Sequence, residues 1–176
     1  MTDKEFFSSY GISFEGESKV DYDVSQLVQM LVHAKSKEEK LVLPETIGEK
    51  VLEDFKKFIE MYKEAFTNTK KGLKHDWHCG YSLMSNDEKT LYIFSFASAG
   101  TPILINGVVN KKKQIFILPE NKALDADSSL GLGAGPGTIW LSLKENEIHD
   151  VCTVVKIKFN EQIKLYEGTG APITVN

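Results

Sequence analysis

Five consecutive residues, His75-Asp76-Trp77-His78-Cys79, hold the densest reactive chemistry in the sequence. Two imidazoles and a thiol are good zinc ligands. Their spacing argues against a shared ion. His75 and His78 stand three apart at the entry of an expected strand, where side chains alternate, so the two rings face opposite sides. The expectation is surface histidines beside a tryptophan that covers the end of a β-layer, with no metal and no other cofactor. Gly131-Leu132-Gly133-Ala134-Gly135-Pro136-Gly137 is a second chemical candidate. Glycine loops that bind phosphate lie between a strand and a helix N-terminus. Here the glycines precede an expected strand, no helix follows, and Pro136 removes an amide donor, so the loop reads as a flexible connection.

Acyl-transfer and glycoside chemistry leave no clear trace. There is no Gly-x-Ser-x-Gly, and Cys and His are too few to name a nucleophile and its base. The acidic residues fall on solvent sides of helices or in turns, as Asp87 and Glu88 do, where solvation is their expected role. Aromatic rings stack on the apolar faces of sugars, and Trp77, Tyr81, Tyr92, Trp140 and Tyr166 could line such a face. Strand aromatics more often belong to a core; Trp77 is the least core-like of the five. The candidate carbohydrate-binding set is therefore Trp77, His75, His78, Tyr81 and Trp140, with no catalytic residue assigned. Cys79 and Cys152 each lie in an apolar β-pattern and read as buried thiols, although one disulfide between them stays open.

These residues need elements to position them. Residues 1–22 read as an irregular arm with Phe6, Phe7, Tyr10, Ile12 and Phe14 to bury. Val24, Leu27, Val28, Leu31 and Val32 predict a helix over 23–36, capped by Asp23 or Ser25. Leu41-Val42-Leu43 is a short strand. Pro44 opens a second helix to about Phe66, with Ile47, Val51, Phe55, Phe58, Ile59, Tyr62 and Phe66 as its stripe and with Glu45, Glu49, Glu53 and Asp54 at its favourable end. From residue 73 the helical period is lost. Short strands are expected at 79–85, 90–96, 101–109, 113–118, 138–143, 152–159 and 163–167. In the second, Tyr92, Phe94 and Phe96 point one way and Leu91 and Ile93 the other, so that strand is covered on both sides. The fold class is α+β: two N-terminal helices followed by an antiparallel β-sandwich of about seven strands, with residues 1–70 as the helical segment, 71–168 as the sandwich and 169–176 as a tail.

Composition narrows the partners. The net charge is −4 and all 21 basic residues are lysine. Without the bidentate fork of arginine, a nucleic-acid reader is not expected. The run Lys111-Lys112-Lys113 reads as a solubilising start to a strand that protects an edge. No apolar run approaches the ~20 residues that span a bilayer, so no membrane partner is expected. MTDKEFFSSYG lacks the basic start and apolar core of a secretory signal, and no Asn-x-Ser/Thr acceptor occurs. A cytoplasmic chain, or a fragment of something larger, is expected.

The ordered set of stretches carries a resemblance. DVSQLVQMLVHAKSKEEKLVL (23–43) resembles the penultimate helix and final barrel strand of α-L-fucosidases of glycoside hydrolase family 29. GEKVLEDFKKFIEMYKEAFTNT (48–69) resembles that barrel's closing helix. Trp77 with KTLYIFSFA (89–97), and GTIWLSLKENEIHDVCTVVKIKFNEQIKLYEG (137–168), resemble the first and last strands of the β-sandwich that follows it. The resemblance implies that most of the barrel, with the family's Asp nucleophile, lies outside this sequence. The paired carboxyl groups ~5 Å apart that a retaining glycosidase needs cannot be assigned here. The expected function is a noncatalytic carbohydrate-recognition or accessory module for fucose-containing glycans. The alternatives are a protein-interaction module, as a homodimer or the subunit of a split glycosidase, and a fucosidase-like hydrolase that acts only with a catalytic partner chain.

Overall fold

The structure is a computed structural model that describes residues 2–74, 80–110, 113–124, 127–129 (backbone) and 138–166. The aromatic arm, expected to be irregular, holds regular elements over residues 3–14, while residues 15–23 form no helix or strand. Thr2 and Glu5 form a reciprocal capping box that starts α1 (Asp3–Ser9), whose Phe6 and Phe7 are buried. Such a box satisfies two of the amide donors that a helix start leaves unpaired. The chain then forms β1 (Ile12–Phe14). Asp23 and Gln26 make a second capping box at the head of α2 (Val24–Ser36), which settles the choice of cap. β2 (Leu41–Leu43) lies parallel to β1.

The second expected helix is divided. Pro44 leads a turn, and α3 (Glu49–Met61) begins only after Gly48. Tyr62 breaks the helix before the single turn α4 (Lys63–Phe66). The helical part thus holds four helices and a parallel strand pair among the described residues, where two helices and one strand were expected.

The β-part matches the expected order more closely. It comprises β3 (Thr69–Lys71), β4 (Tyr81–Ser85), β5 (Thr90–Ser95), β6 (Ile103–Asn106), β7 (Lys113–Leu118), β8 (Lys122–Ala123), β9 (Asp127–Ser129), β10 (Thr138–Leu141) and β11 (Thr153–Phe159). Six of them form an antiparallel sheet in the order β3-β4-β5-β11-β7-β8, and three more form the antiparallel sheet β6-β10-β9. The boundary expected at residue 70 falls inside β3. The expected strand at 163–167 reduces, within the described residues, to one bridge between Val108 and Leu165. The tail, the glycine loop 131–137, and Lys111 and Lys112 lie outside the described residues; Lys113 begins β7.

Side-chain alternation sorts the six-stranded sheet into two cores. On β5, Tyr92 and Phe94 join the helices in a core with Phe7, Leu31, Phe55 and Phe66. Leu91 and Ile93 join the opposite core, shared with β6 and β10 through Ile103, Ile105, Ile139 and Leu141. β11 repeats the division, with Val154 on the helix side and Val155, Ile157 and Phe159 on the other. The expectation that the 90–96 strand is covered on both faces holds.

Candidate functional site

Of the five sequence-stated candidates, Trp77, His75 and His78 lie outside the described residues. Tyr81 and Trp140 are described, and the fold places them apart. Tyr81 starts β4, half-buried against the helix-side core. Trp140 alternates with the buried Ile139 and Leu141 on β10, so its ring faces away from the core and is 43% exposed. One ring lies between helix and sheet. The other lies on the outer face of the second sheet.

Tyr81 stands in the wall of a cleft between α2 and β4. Its ring meets that of His33 edge-on, with centroids 5.2 Å apart and planes at 88°. The cleft runs along α2 from Tyr22 to the start of β2, with a volume of about 540 Å³. Gln26, Met30 and His33 recur along the helix at i, i+4 and i+7, so one helix face presents them together. Tyr22, Gln29, Glu39 and Lys40 complete its polar lining. His33 Nδ1 is buried and has no hydrogen-bond partner among the described residues. A buried polar atom without a partner costs ~1–3 kcal/mol, so the site gains when a donor or acceptor reaches it. On the far side of the His33–Tyr81 pair a second hollow of about 480 Å³ is walled by Lys71, Gly72 and Ser82. Gly72 is required there, because a Cβ on it would lie 2.6 Å from the Ser82 backbone. The approach is fastened by the hydrogen bond from Leu73 N–H to Ser82 Oγ at 2.8 Å.

Sequence reasoning named Tyr81 and missed the rest of this cleft. The available signal was the polar series Gln26, Gln29 and His33 beside the apolar stripe Leu27, Val28 and Leu31 on one helix. Such a series reads as a solvated flank until the partner strand is known.

A second group of polar side chains lies at the break between α3 and α4. Tyr62 Oη and His149 Nδ1 are 2.9 Å apart, and His149 Nε2 lies 3.8 Å from a carboxylate oxygen of Glu120. Burial raises the Tyr62 phenol above its ordinary range, with smaller contributions from Cys152 and Glu120, so it stays protonated. Cys152 forms no disulfide among the described residues, Cys79 lying outside them, and burial raises the pKa of its thiol as well. That thiol is a packed hydrophobe, not a nucleophile. Nearby, Glu64 accepts hydrogen bonds from Tyr92 and Lys156, which ties α4 to the sheet. Among the described residues no group of three or more His, Cys, Asp or Glu side chains is placed to hold a metal ion.

No protein-family model and no curated protein matches the sequence. Solved structures do match the fold. An α-L-fucosidase isoenzyme from Paenibacillus thiaminolyticus aligns with a TM-score of 0.64 at 15% identity, over 80% of this chain and 35% of its own. The fold is that of a part of an α-L-fucosidase. The α-fucosidase of Thermotoga maritima gives a TM-score of 0.58 at 14% identity, over 83% of this chain and 38% of its own. A fucosidase of family GH29 from Bacteroides thetaiotaomicron gives 0.59 at 15%, over 77% and 32%. This chain therefore spans about a third of the length of the fucosidases it matches, as the expected C-terminal part would. Among the described residues no helix is long and apolar enough to cross a membrane.

Proposed function

We propose that this chain is a noncatalytic carbohydrate-recognition or accessory module of the fucosidase kind, and that it binds fucose-containing glycans in the cleft between α2 and β4. One observation carries the reading: the buried, unpartnered His33 Nδ1 beside the edge-on ring of Tyr81. Sugar sites combine a flat apolar platform with a few fixed polar groups. Tyr81 and Tyr22 offer rings, Gln29 and His33 offer donors and acceptors that a sugar hydroxyl can meet from either role, and Gln26, whose Oε1 accepts from Asp23 N–H, offers its amide donors. Trp77, His75 and His78 precede Tyr81 in the sequence and remain proposed sugar contacts. On the same reading, residues 1–70 correspond to the last unit of a barrel and 71–168 to a sandwich domain.

Titration with L-fucose and a fucosylated trisaccharide, followed by amide and imidazole NMR shifts, tests the proposal. Shifts at His33 and Tyr81 that vanish in Tyr81→Ala and shrink in His33→Ala, with the fold retained, are expected. Saturating sugar with no shift there refutes it. Turnover of an aryl fucoside by the isolated chain would refute the noncatalytic part.

A second reading rests on the strand pair β1 and β2. Ile12 and Leu41, and Phe14 and Leu43, are paired in register, as are Ser13 and Val42. Leu41 and Leu43 are buried, and Val42 between them is 49% exposed. A parallel pair with no third strand among the described residues leaves both outer edges able to accept another strand. This favours a subunit that completes its sheet against a catalytic partner chain or a second copy. Light scattering that shows a monomer over a wide concentration range rejects the homodimer.

A further inference from the structure

We propose that the pocket at the break between α3 and α4 binds a small organic amine, its ammonium held between His149 and Glu120. The pocket has a volume of about 380 Å³, and Phe58, Met61, Pro119 and Val151 supply its apolar walls. Met61 is 58% exposed, beside the buried Phe58, Ile59 and Tyr62. The polar end is formed by Glu120, His149 and Asp150. Lys57, the one lysine in the lining, is engaged by Glu53 and Asp54 on its own helix. Negative charge at Glu120 and Asp150 has no direct lysine partner among the described residues.

The spacing of His149 and Glu120 selects the ligand. At 3.8 Å the imidazole Nε2 and the carboxylate oxygen are too far apart for a direct hydrogen bond. A nitrogen ~2.8 Å from both fits between them and donates to each, as a primary ammonium can. This requires Nε2 as an acceptor, hence Nδ1–H donating to Tyr62 Oη, a role the neutral phenol oxygen can take. In the absence of an amine the other tautomer serves the same 2.9 Å contact, with the phenol donating to Nδ1. The Tyr62–His149 pair can thus change direction without changing charge. A mere latch between α3 and the 149–153 segment would need neither the pocket nor an uncoupled carboxylate. The site is separate from the His33–Tyr81 cleft and does not depend on the carbohydrate reading.

The test uses benzylamine and its neutral counterpart benzyl alcohol, added to the full chain and followed by amide shifts and by the His149 imidazole nitrogens. Benzylamine is expected to shift Tyr62, His149 and Val151, and to move His149 to the Nδ1–H tautomer. The alcohol is expected to bind roughly tenfold more weakly, the factor for losing a charge-assisted hydrogen bond. Glu120→Gln is expected to abolish that preference. Glu17→Gln, an equal change of net charge outside the pocket, is expected to leave it intact. Equal binding of both probes, shifts mapped elsewhere, or an ammonium preference retained in Glu120→Gln would overturn the proposal. Tighter binding of Nα-acetyl-lysine methylamide, whose ε-ammonium is free, than of benzylamine would overturn the small-molecule source in favour of a protein lysine. Failure of fucose to bind the other cleft would leave this result untouched.

Discussion

The two faces of the six-stranded sheet are built from different material. The helix side gathers rings: Phe7 stacks on Phe55 with centroids 5.8 Å apart, and Phe58, Tyr62, Phe66 and Phe94 continue the series. The opposite side is aliphatic, with Ile93, Ile105, Ile115, Ile117, Ile139, Val155 and Ile157, and Phe159 as its one phenylalanine. A helix crossing a sheet leaves uneven gaps that large flat rings fill. Two facing sheets lie at a more even spacing, which branched aliphatic residues fill from both sides. Both cores pass through β4, β5, β7 and β11, so the difference is one of filling and not of separate units.

Substitutions can break that comparison. Phe55→Ala, at a ring with 0% exposure, is expected to lower stability by ~3–5 kcal/mol. Ile105→Ala, equally buried on the other face, is expected to cost ~2–4 kcal/mol. Urea denaturation checks both. If the shared sheet makes one cooperative unit, each single variant shows one transition by fluorescence and by circular dichroism alike. Two transitions in either variant would mean that the cores unfold separately.

Smaller effects lie at the margins of the two cores. Gly72→Ala forces a methyl group against Ser82, beside Leu73 of the aliphatic core, and is expected to cost ~1–3 kcal/mol in thermal denaturation. Glu147 is buried where it accepts from Lys122 Nζ and from Lys144 N–H, both at 2.9 Å. The Lys122 contact leads in holding its carboxyl below the ordinary 4.5. A carboxyl whose folded pKa is depressed contributes stability that is present above its unfolded value and is lost as the pH falls through the folded one. The urea midpoint is therefore expected to drop as pH is lowered below 4.5, and to drop less in Glu147→Gln. On the helix side, Asp23→Ala removes the α2 cap and is expected to cost ~1 kcal/mol, with α2 amides exchanging faster at their first turn.

The residues that predicted most were those whose neighbours are local or periodic. Tyr92, Phe94, Leu91 and Ile93 disclosed a strand buried on both faces because alternation is a property of the strand itself. Asp23 could be named as a cap because its partner is three residues away. The arm failed as a prediction because Thr2 and Glu5 form a capping box so early in the chain that Phe6 and Phe7 offered only one helical turn of pattern. The break at Tyr62 left no mark in an apolar stripe that runs through it. Neither site was legible as a site. His33 meets Tyr81, and Tyr62 meets His149 and Glu120, only after the sheet brings distant segments together, and no spacing in the sequence encodes those meetings.

The place of β11 in the sheet bears on how the chain is made. β11 pairs with β5 on one side and β7 on the other, so it joins β3-β4-β5 to β7-β8, and it is formed by residues 153–159. During synthesis every other strand of that sheet leaves the ribosome first and waits without its central partner. The waiting strands expose Phe94 and Ile93 on β5 and Ile115 and Ile117 on β7, all of them buried in the finished protein. A nascent chain arrested before residue 153 is expected to be protease-sensitive and to bind chaperones, and one arrested with residue 159 clear of the exit tunnel is expected to resist both. For this sheet, commitment to the native pairing arrives with β11.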